Sequence, residues 1–317
     1  MAESVASGLQ VAGRQQCCPA SRPIRVISEV RRENTVSQAE RDQRAYSLAK
    51  EYLLQFKKEG VTPELLDKYL DFSKIGARPD TIPEIYLRIL ASAQNANMKA
   101  GVIGGAIGGV HNLGSVLCDF QPTAVLVKYP GGWEPVLDDI ERQLQPKGKI
   151  RRTPRSIWPQ YCKTILSAAR FMTQFSTASI FYAWVDSFEQ DVESRISLVK
   201  QLSNAIHGMG FAVTCDFLKE LGYEGYPKPD VHVKGIFTAL ELCPANANDI
   251  EVFRAVARVS EHVGVTPYNV DRLFWLIGSG YFYADPHIGK GGRLGNHKNE
   301  FIAYACKALE VANKGDS

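Results

Sequence analysis

Three observations predict an all-α fold for this 317-residue chain. Apolar residues recur at three- and four-residue spacing in most long segments, helix-start signals stand at Thr62-Pro63-Glu64 and Asp230, and strand-like alternation is scarce. About ten helices with short connections account for the pattern, arranged as two lobes with a cleft between them. No internal repeat is evident.

In chain order, residues 1–37 are small, polar and arginine-bearing without periodicity, the composition of a mobile tail. Helical periodicity starts in QAERDQRAYSLAKEYLLQFKKEG and stops at Gly60. TPELLDKYLDF opens on a Thr-Pro-Glu start signal, and TIPEIYLRILASAQNA follows. The glycine-rich AGVIGGAIGGVHNLG contains no G-x-G, so the dinucleotide fingerprint fails, and Gly289-Lys290 is followed by glycine, so the phosphate-loop motif fails too. Gly104 and Gly108, four apart, suit close packing of a helix on a neighbouring backbone; an adaptable loop beside a cleft is the alternative. Farther on, EPVLDDIERQLQ, WPQYCKTILSAARFMTQF, VESRISLVKQLSNAI, AVTCDFLKEL, DVHVKGIFTALEL, DIEVFRAVARVSEHVG, NVDRLFWLIGSG and FIAYACKALEVANK all favour helix. ASIFYAW reads either as a strand or as a buried helical turn. One lobe takes residues 38–95 and 230–317, the other residues 96–229.

Composition narrows the classes. An apolar content of 45% supports a sizeable core. Cys17, Cys18, Cys118, Cys162, Cys215, Cys243 and Cys306 form no C-x-x-C pair, which suits reduced thiols better than a disulfide or zinc framework. The first thirty residues lack a signal-peptide core and no window reaches membrane-span length, so neither secretion nor a membrane partner is expected. A net charge of +3 and a pI near 8.4 permit a nucleic-acid partner without arguing for one. Lys147, Lys149, Arg151, Arg152 and Arg155 lie together with no acid among them, either as a solvated loop or as a track for phosphates.

The chemistry concentrates between Val192 and Leu242. VESRISLVKQLSNAI, the turn HGMGF and AVTCDFLKEL make a helix-hairpin-helix over residues 193–222. The backbone amides of Gly208, Met209 and Gly210 can converge there on a phosphate oxygen. Eighteen residues beyond Ala212 stands Asp230, preceded by Pro229 and followed at once by apolar periodicity, which predicts a helix N-cap. One reading of such an aspartate is a cap that serves the helix alone; the other is an anion that, fixed at a cleft, stabilises a sugar cation or orients water.

A hairpin with Gly-x-Gly followed by the Asp-x-His-Val start of a helix resembles the endonuclease III superfamily of helix-hairpin-helix DNA glycosylases. ILASAQNA (89–96) is similar to that family's L-L-S-A-Q stretch, and WPQYCKTILSAARFM to its helix ahead of the hairpin. The likeness spans about residues 80–245, with an insertion near 101–155. It implies that DNA is the partner, Asp230 the catalytic carboxylate and Gln94 the side chain filling the gap left by an extruded base. Arg151, Arg152 and Lys228 are further candidates for contacts with DNA. Ala212 stands where bifunctional members carry the hairpin lysine, so the implied reaction is monofunctional: water, guided by Asp230, hydrolyses the N-glycosidic bond of a modified or damaged base. Lys228 is the alternative nucleophile for a glycosylase-lyase, and a non-catalytic lesion-recognition protein is the rival. The family's four cluster cysteines are missing, so no iron–sulfur cluster or other cofactor is expected, nor an obligate protein partner. Reduced cysteines and the absence of a secretion signal suit a cytoplasmic location, nucleoid-associated or nuclear given a DNA partner.

Within RLFWLIGSGYFY, Trp275, Tyr281 and Tyr283 are candidates for the wall of a base pocket, alongside Phe274 and Phe282, although core packing is the commoner fate of such a run. Asp285, His287 and His297 have no metal-ligand spacing, while Lys290, Arg293 and Lys298 could track phosphate.

Overall fold

The computed structural model describes residues 37–74, 76–94, 102–283 and 285–314. The tail read from the sequence lies outside the described residues except for Ser37, as do residues 95–101 at the start of the insertion.

Capping chemistry sets the helix starts. The first helix, α1 (Gln38–Leu54), begins on a reciprocal capping box between Ser37 and Glu40, and α2 (Pro63–Leu70) on the Thr62 hydroxyl with Pro63 in its first turn. Thr81 and Glu84 form a second box for α3 (Ile82–Ala93). The glycine-rich segment gives a short α4 (Val102–Ile107), then 3-10 turns over Val110–Ser115 and Cys118–Phe120. It continues into α5 (Pro122–Lys128), α6 (Trp133–Leu144), α7 (Ile157–Met172) and α8 (Ala178–Asp186). The hairpin helices are α9 (Val192–Ala205) and α10 (Phe211–Glu220). Four more follow: α11 (Val231–Ala239), α12 (Asp249–Val263), α13 (Pro267–Ser279) and α14 (Lys298–Lys314).

The fold is all-α. Among the described residues β pairing is confined to the isolated bridges Tyr281–Arg293 and Gly289–Arg293. ASIFYAW is helix α8, started by the Thr177 hydroxyl on the Ile180 amide. Gly108 does not sit on a helical face with Gly104: its φ of +76° lies just beyond α4, which ends at Ile107. Gly104 does allow a close approach, because a Cβ there would stand 2.8 Å from Gln94 Oε1.

Apolar side chains gather in two cores. Helices α3 and α5–α10 bury Tyr86, Ile89, Ile165, Phe181, Val199 and Phe217 in one. Helices α1, α2 and α11–α14 bury Leu48, Leu66, Phe237, Phe274 and Phe301 in the other. Helix α3, grouped by sequence with residues 38–70, contributes Ile85, Tyr86, Ile89 and Leu90 to the hairpin's core instead. Its apolar stripe faces α7 and α10, so the change of core falls between Leu70 and Ile85 rather than near residue 95. Phe253 of α12 joins the hairpin's core as well. Among the described residues no helix is long and apolar enough to cross a membrane, and no group of three or more His, Cys, Asp or Glu side chains could hold a metal ion.

Candidate functional site

Between Ala205 and Phe211 the chain reverses through Gly208, whose φ of +79° is the left-handed conformation that glycine adopts without strain. A Cβ at this position would approach Thr164 Oγ1 of α7 to 2.8 Å, so glycine is needed for space too. The turn is tied to α7 through His207. His207 donates its amide to Ser167 Oγ at 2.9 Å, and its Nε2 lies 2.6 Å from Gln160 Oε1. Met209 is a buried anchor rather than a surface contact, while Gly210 is exposed. Gly210 offers no side-chain cap to the first amides of α10.

Asp230 is the N-cap of α11, as its sequence context predicts. Its Oδ1 accepts from the amides of His232 at 2.8 Å and Val233 at 3.0 Å. A capping carboxylate usually titrates low, but this one is raised: burial is the largest cause and the neighbouring Asp271 carboxylate adds to it, outweighing the two amides. His232 packs against α13, where a Cβ on Gly278 would meet it at 2.5 Å.

A cavity of about 300 Å³ opens nearby, lined by side chains of α10 and α13, by Lys228, and by the aromatic turn after α13. Of the sequence-predicted residues it gathers Lys228, Trp275, Tyr281 and Tyr283. The three rings pack together, with Tyr283 centred 5.4 Å from Trp275 and 5.6 Å from Tyr281. Cations cover them: Arg272 stands 4.9 Å from the Tyr283 centroid and Arg293 4.5 Å from that of Tyr281. Phe274 and Phe282, from the same run, are fully buried in the second core. Asp230 is not itself a lining residue.

Four cavity residues carry signals that sequence reasoning missed: Asp216, Lys219, Asp271 and Arg272. Lys219, 8% exposed, donates to Asp271 Oδ2 at 2.7 Å and lies 3.6 Å from Asp216. Asp271 Oδ2 also accepts the Lys228 amide at 3.1 Å, which fixes the segment leading into Asp230. Lys228 Nζ is paired with Asp216 at 3.0 Å. Burial alone would depress the Lys219 ammonium, but Asp271 and Asp216 reverse this and hold its pKa above the ordinary lysine value. Burial likewise opposes ionisation of Asp216, and Lys219 and Lys228 outweigh it to keep that carboxyl low. The detectable signal was a charge on each apolar stripe: Lys219 follows Leu218 on α10, and Asp271 sits between Val270 and Leu273 on α13.

Gln94 lines a different cavity, of about 660 Å³, together with Arg78, Arg88, Val110 and His111. Its Oε1 accepts the Gly104 amide at 3.1 Å. The two cavities adjoin, since Arg88 of one pairs with Glu220 of the other at 3.2 Å. In the basic loop Arg151 is exposed, whereas Arg152 is bound by Asp138 and Glu141 on α6, so the acid-free stretch in sequence is not acid-free in space.

No family model matches this chain, and no curated protein matches it. A search of solved structures finds the Methanocaldococcus jannaschii 8-oxoguanine glycosylase/lyase, crystallised with a 15mer DNA containing 8-oxoguanine. The two are 14% identical, the match covers 73% of this chain and 98% of that one, and the TM-score is 0.44.

Proposed function

We propose that the chain is a DNA glycosylase that extrudes a modified or damaged base and hydrolyses its N-glycosidic bond. One observation carries this reading: an aromatic, cation-rimmed cavity of about 300 Å³ is tied through Lys228 to the capped Asp230 and to the second hairpin helix. Everted bases are held by stacking on aromatic faces, and Trp275, Tyr281 and Tyr283 offer such faces. The exposed Gly208 and Gly210 of the hairpin turn and the free cation of Arg151 supply phosphate contacts that offset the cost of eversion; the Met209 amide is taken by the Ile206 carbonyl. Gln94, beside the adjoining cavity, is suited to the space left in the duplex.

Asp230 is the proposed catalytic carboxylate. As the N-glycosidic bond lengthens, positive charge gathers on the sugar, and a carboxylate anchored by two amides stabilises it without reorganising. The raised pKa describes a desolvated group, and a growing cation nearby would favour its ionised form. With Ala212 in place of an amine at the hairpin, water is the nucleophile. Lys228 is a weaker candidate for that role because Asp216 engages its Nζ.

A second reading, a DNA-binding protein without excision, is favoured by one specific observation: Asp271, not Asp230, lines the cavity, and it is committed to Lys219. Incubation with duplexes carrying oxidised, alkylated, deaminated and mismatched bases separates the two. Alkali-labile abasic sites on any of them support the glycosylase; duplex binding with none supports the binder.

A further inference from the structure

Far from Asp230 in sequence, Lys147, Lys149, Arg151 and Arg155 surround a cavity of about 630 Å³ at the start of α7. All four are exposed. Among the described residues none of their side chains has a hydrogen-bond or ion-pair partner, whereas Arg152 in their midst is held by Asp138 and Glu141. Four unpaired like charges around one concavity repel each other and focus a positive potential into it. The remaining wall is mixed: Val102 and Ile157 are 40% and 42% exposed, with Ala106 and Trp158 beside them, and the hydroxyls of Thr153 and Ser156, bonded to each other at 2.6 Å, complete it. The exposed faces of Val102 and Ile157 contribute nothing to holding a bare anion, and the volume exceeds what one phosphate requires.

We propose that this cavity is a nucleotide site, in which the cations hold a phosphate and the exposed faces of Val102 and Ile157 take the attached sugar and base. Its ligand is a nucleotide of the strand that the hairpin holds. Gln160, one turn into α7 from Ile157 and about 5 Å along its axis, is the residue bonded to His207 of the hairpin turn. One helix therefore joins the two phosphate-binding features. The site rests on nucleic acid as the partner but not on base excision.

Calorimetric titration of the intact chain with dAMP, deoxyadenosine and a twelve-nucleotide single strand tests it. Wild type is expected to bind the strand and dAMP but not deoxyadenosine. The triple variant K149Q/R151Q/R155Q should lose at least tenfold in strand affinity, and its dependence on salt should fall by about 0.7 in log–log slope per lost contact. R170Q, at the other end of α7 and about 20 Å away, should bind as wild type does. These side chains are exposed, so the fold should persist; if the triple variant melts early, R151Q and K149Q are read singly. Loss confined to dAMP would assign the cavity to a free nucleotide and overturn the strand as its source. Unchanged strand affinity and slope, equal binding of deoxyadenosine, or no binding by wild type would overturn the site. A chain that excises no base yet loses its strand in the triple variant refutes the excision reading alone.

Discussion

Replacing Asp230 by asparagine or by alanine separates its cap from its charge. Oδ1 accepts the His232 and Val233 amides at 2.8 and 3.0 Å, and an asparagine oxygen can accept the same two. Asparagine and aspartate are near-equal caps, so the capping cost of Asp230→Asn is close to nil, whereas Asp230→Ala loses both bonds and about 0.5–2 kcal/mol. The charge acts in the other direction. Burial and Asp271 raise the carboxyl's folded pKa. The stability it contributes is therefore complete below the unfolded value of about 3.9 and is lost as pH rises through the folded value. At neutral pH an ionised Asp230 works against folding, and asparagine removes that penalty. Urea unfolding followed by circular dichroism should thus rank Asp230→Asn at or above wild type near neutrality, with Asp230→Ala lowest. Near pH 4 the advantage of asparagine should shrink, because both side chains approach neutrality. An asparagine variant less stable than wild type by more than about 1 kcal/mol at neutral pH would show that the ionised carboxylate favours folding, since losses of that size accompany loss of a cap.

Three further outcomes follow from the geometry. Asp271→Ala leaves the buried Lys219 with only the longer contact to Asp216 and frees the Lys228 amide, so it should cost about 3–5 kcal/mol in urea unfolding, while a Lys219→Met, Asp271→Leu pair recovers most of this. Gly208→Ala forces a side chain into a left-handed turn against Thr164, at about 1–2 kcal/mol, and should weaken duplex binding measured by anisotropy; unchanged affinity would remove the turn from the interface. Borohydride should trap no covalent adduct with DNA, because Asp216 occupies Lys228; an adduct lost in Lys228→Met would establish lyase chemistry there instead.

The helices were legible because their starts are written locally. Thr62 takes the Leu65 amide with Pro63 in the first turn, and Ser37 with Glu40, Thr81 with Glu84 and Asn248 with Glu251 each satisfy orphan amides within one turn. Asp230 was readable as a cap for the same reason, and the hairpin because Gly208 must turn left-handed. What escaped depends on distance along the chain. Lys219 and Asp271 are 52 residues apart, and only the packing of α10 and α13 around one cavity makes them a pair. Arg151 and Arg152 are indistinguishable by composition; the acids of α6 take one and leave the other. Phe274 and Phe282 parted from Trp275, Tyr281 and Tyr283 because the chain alternates between core and cavity there, which an unbroken aromatic run conceals. In the glycine-rich segment the Gly104–Gly108 spacing suggested one helical face, but α4 stops at Ile107, and beyond it only Pro122 at the start of α5 marks an element.

The decisive measurement is single-turnover base excision by wild type and Asp230→Asn on whichever modified duplex wild type cleaves, with duplex affinity measured in parallel. Equal affinity is expected, with an excision rate lower by about 10²–10³-fold in the variant, the loss typical of removing one pre-organised charge-stabilising group. Excision by the asparagine variant at the wild-type rate would contradict the role proposed for Asp230.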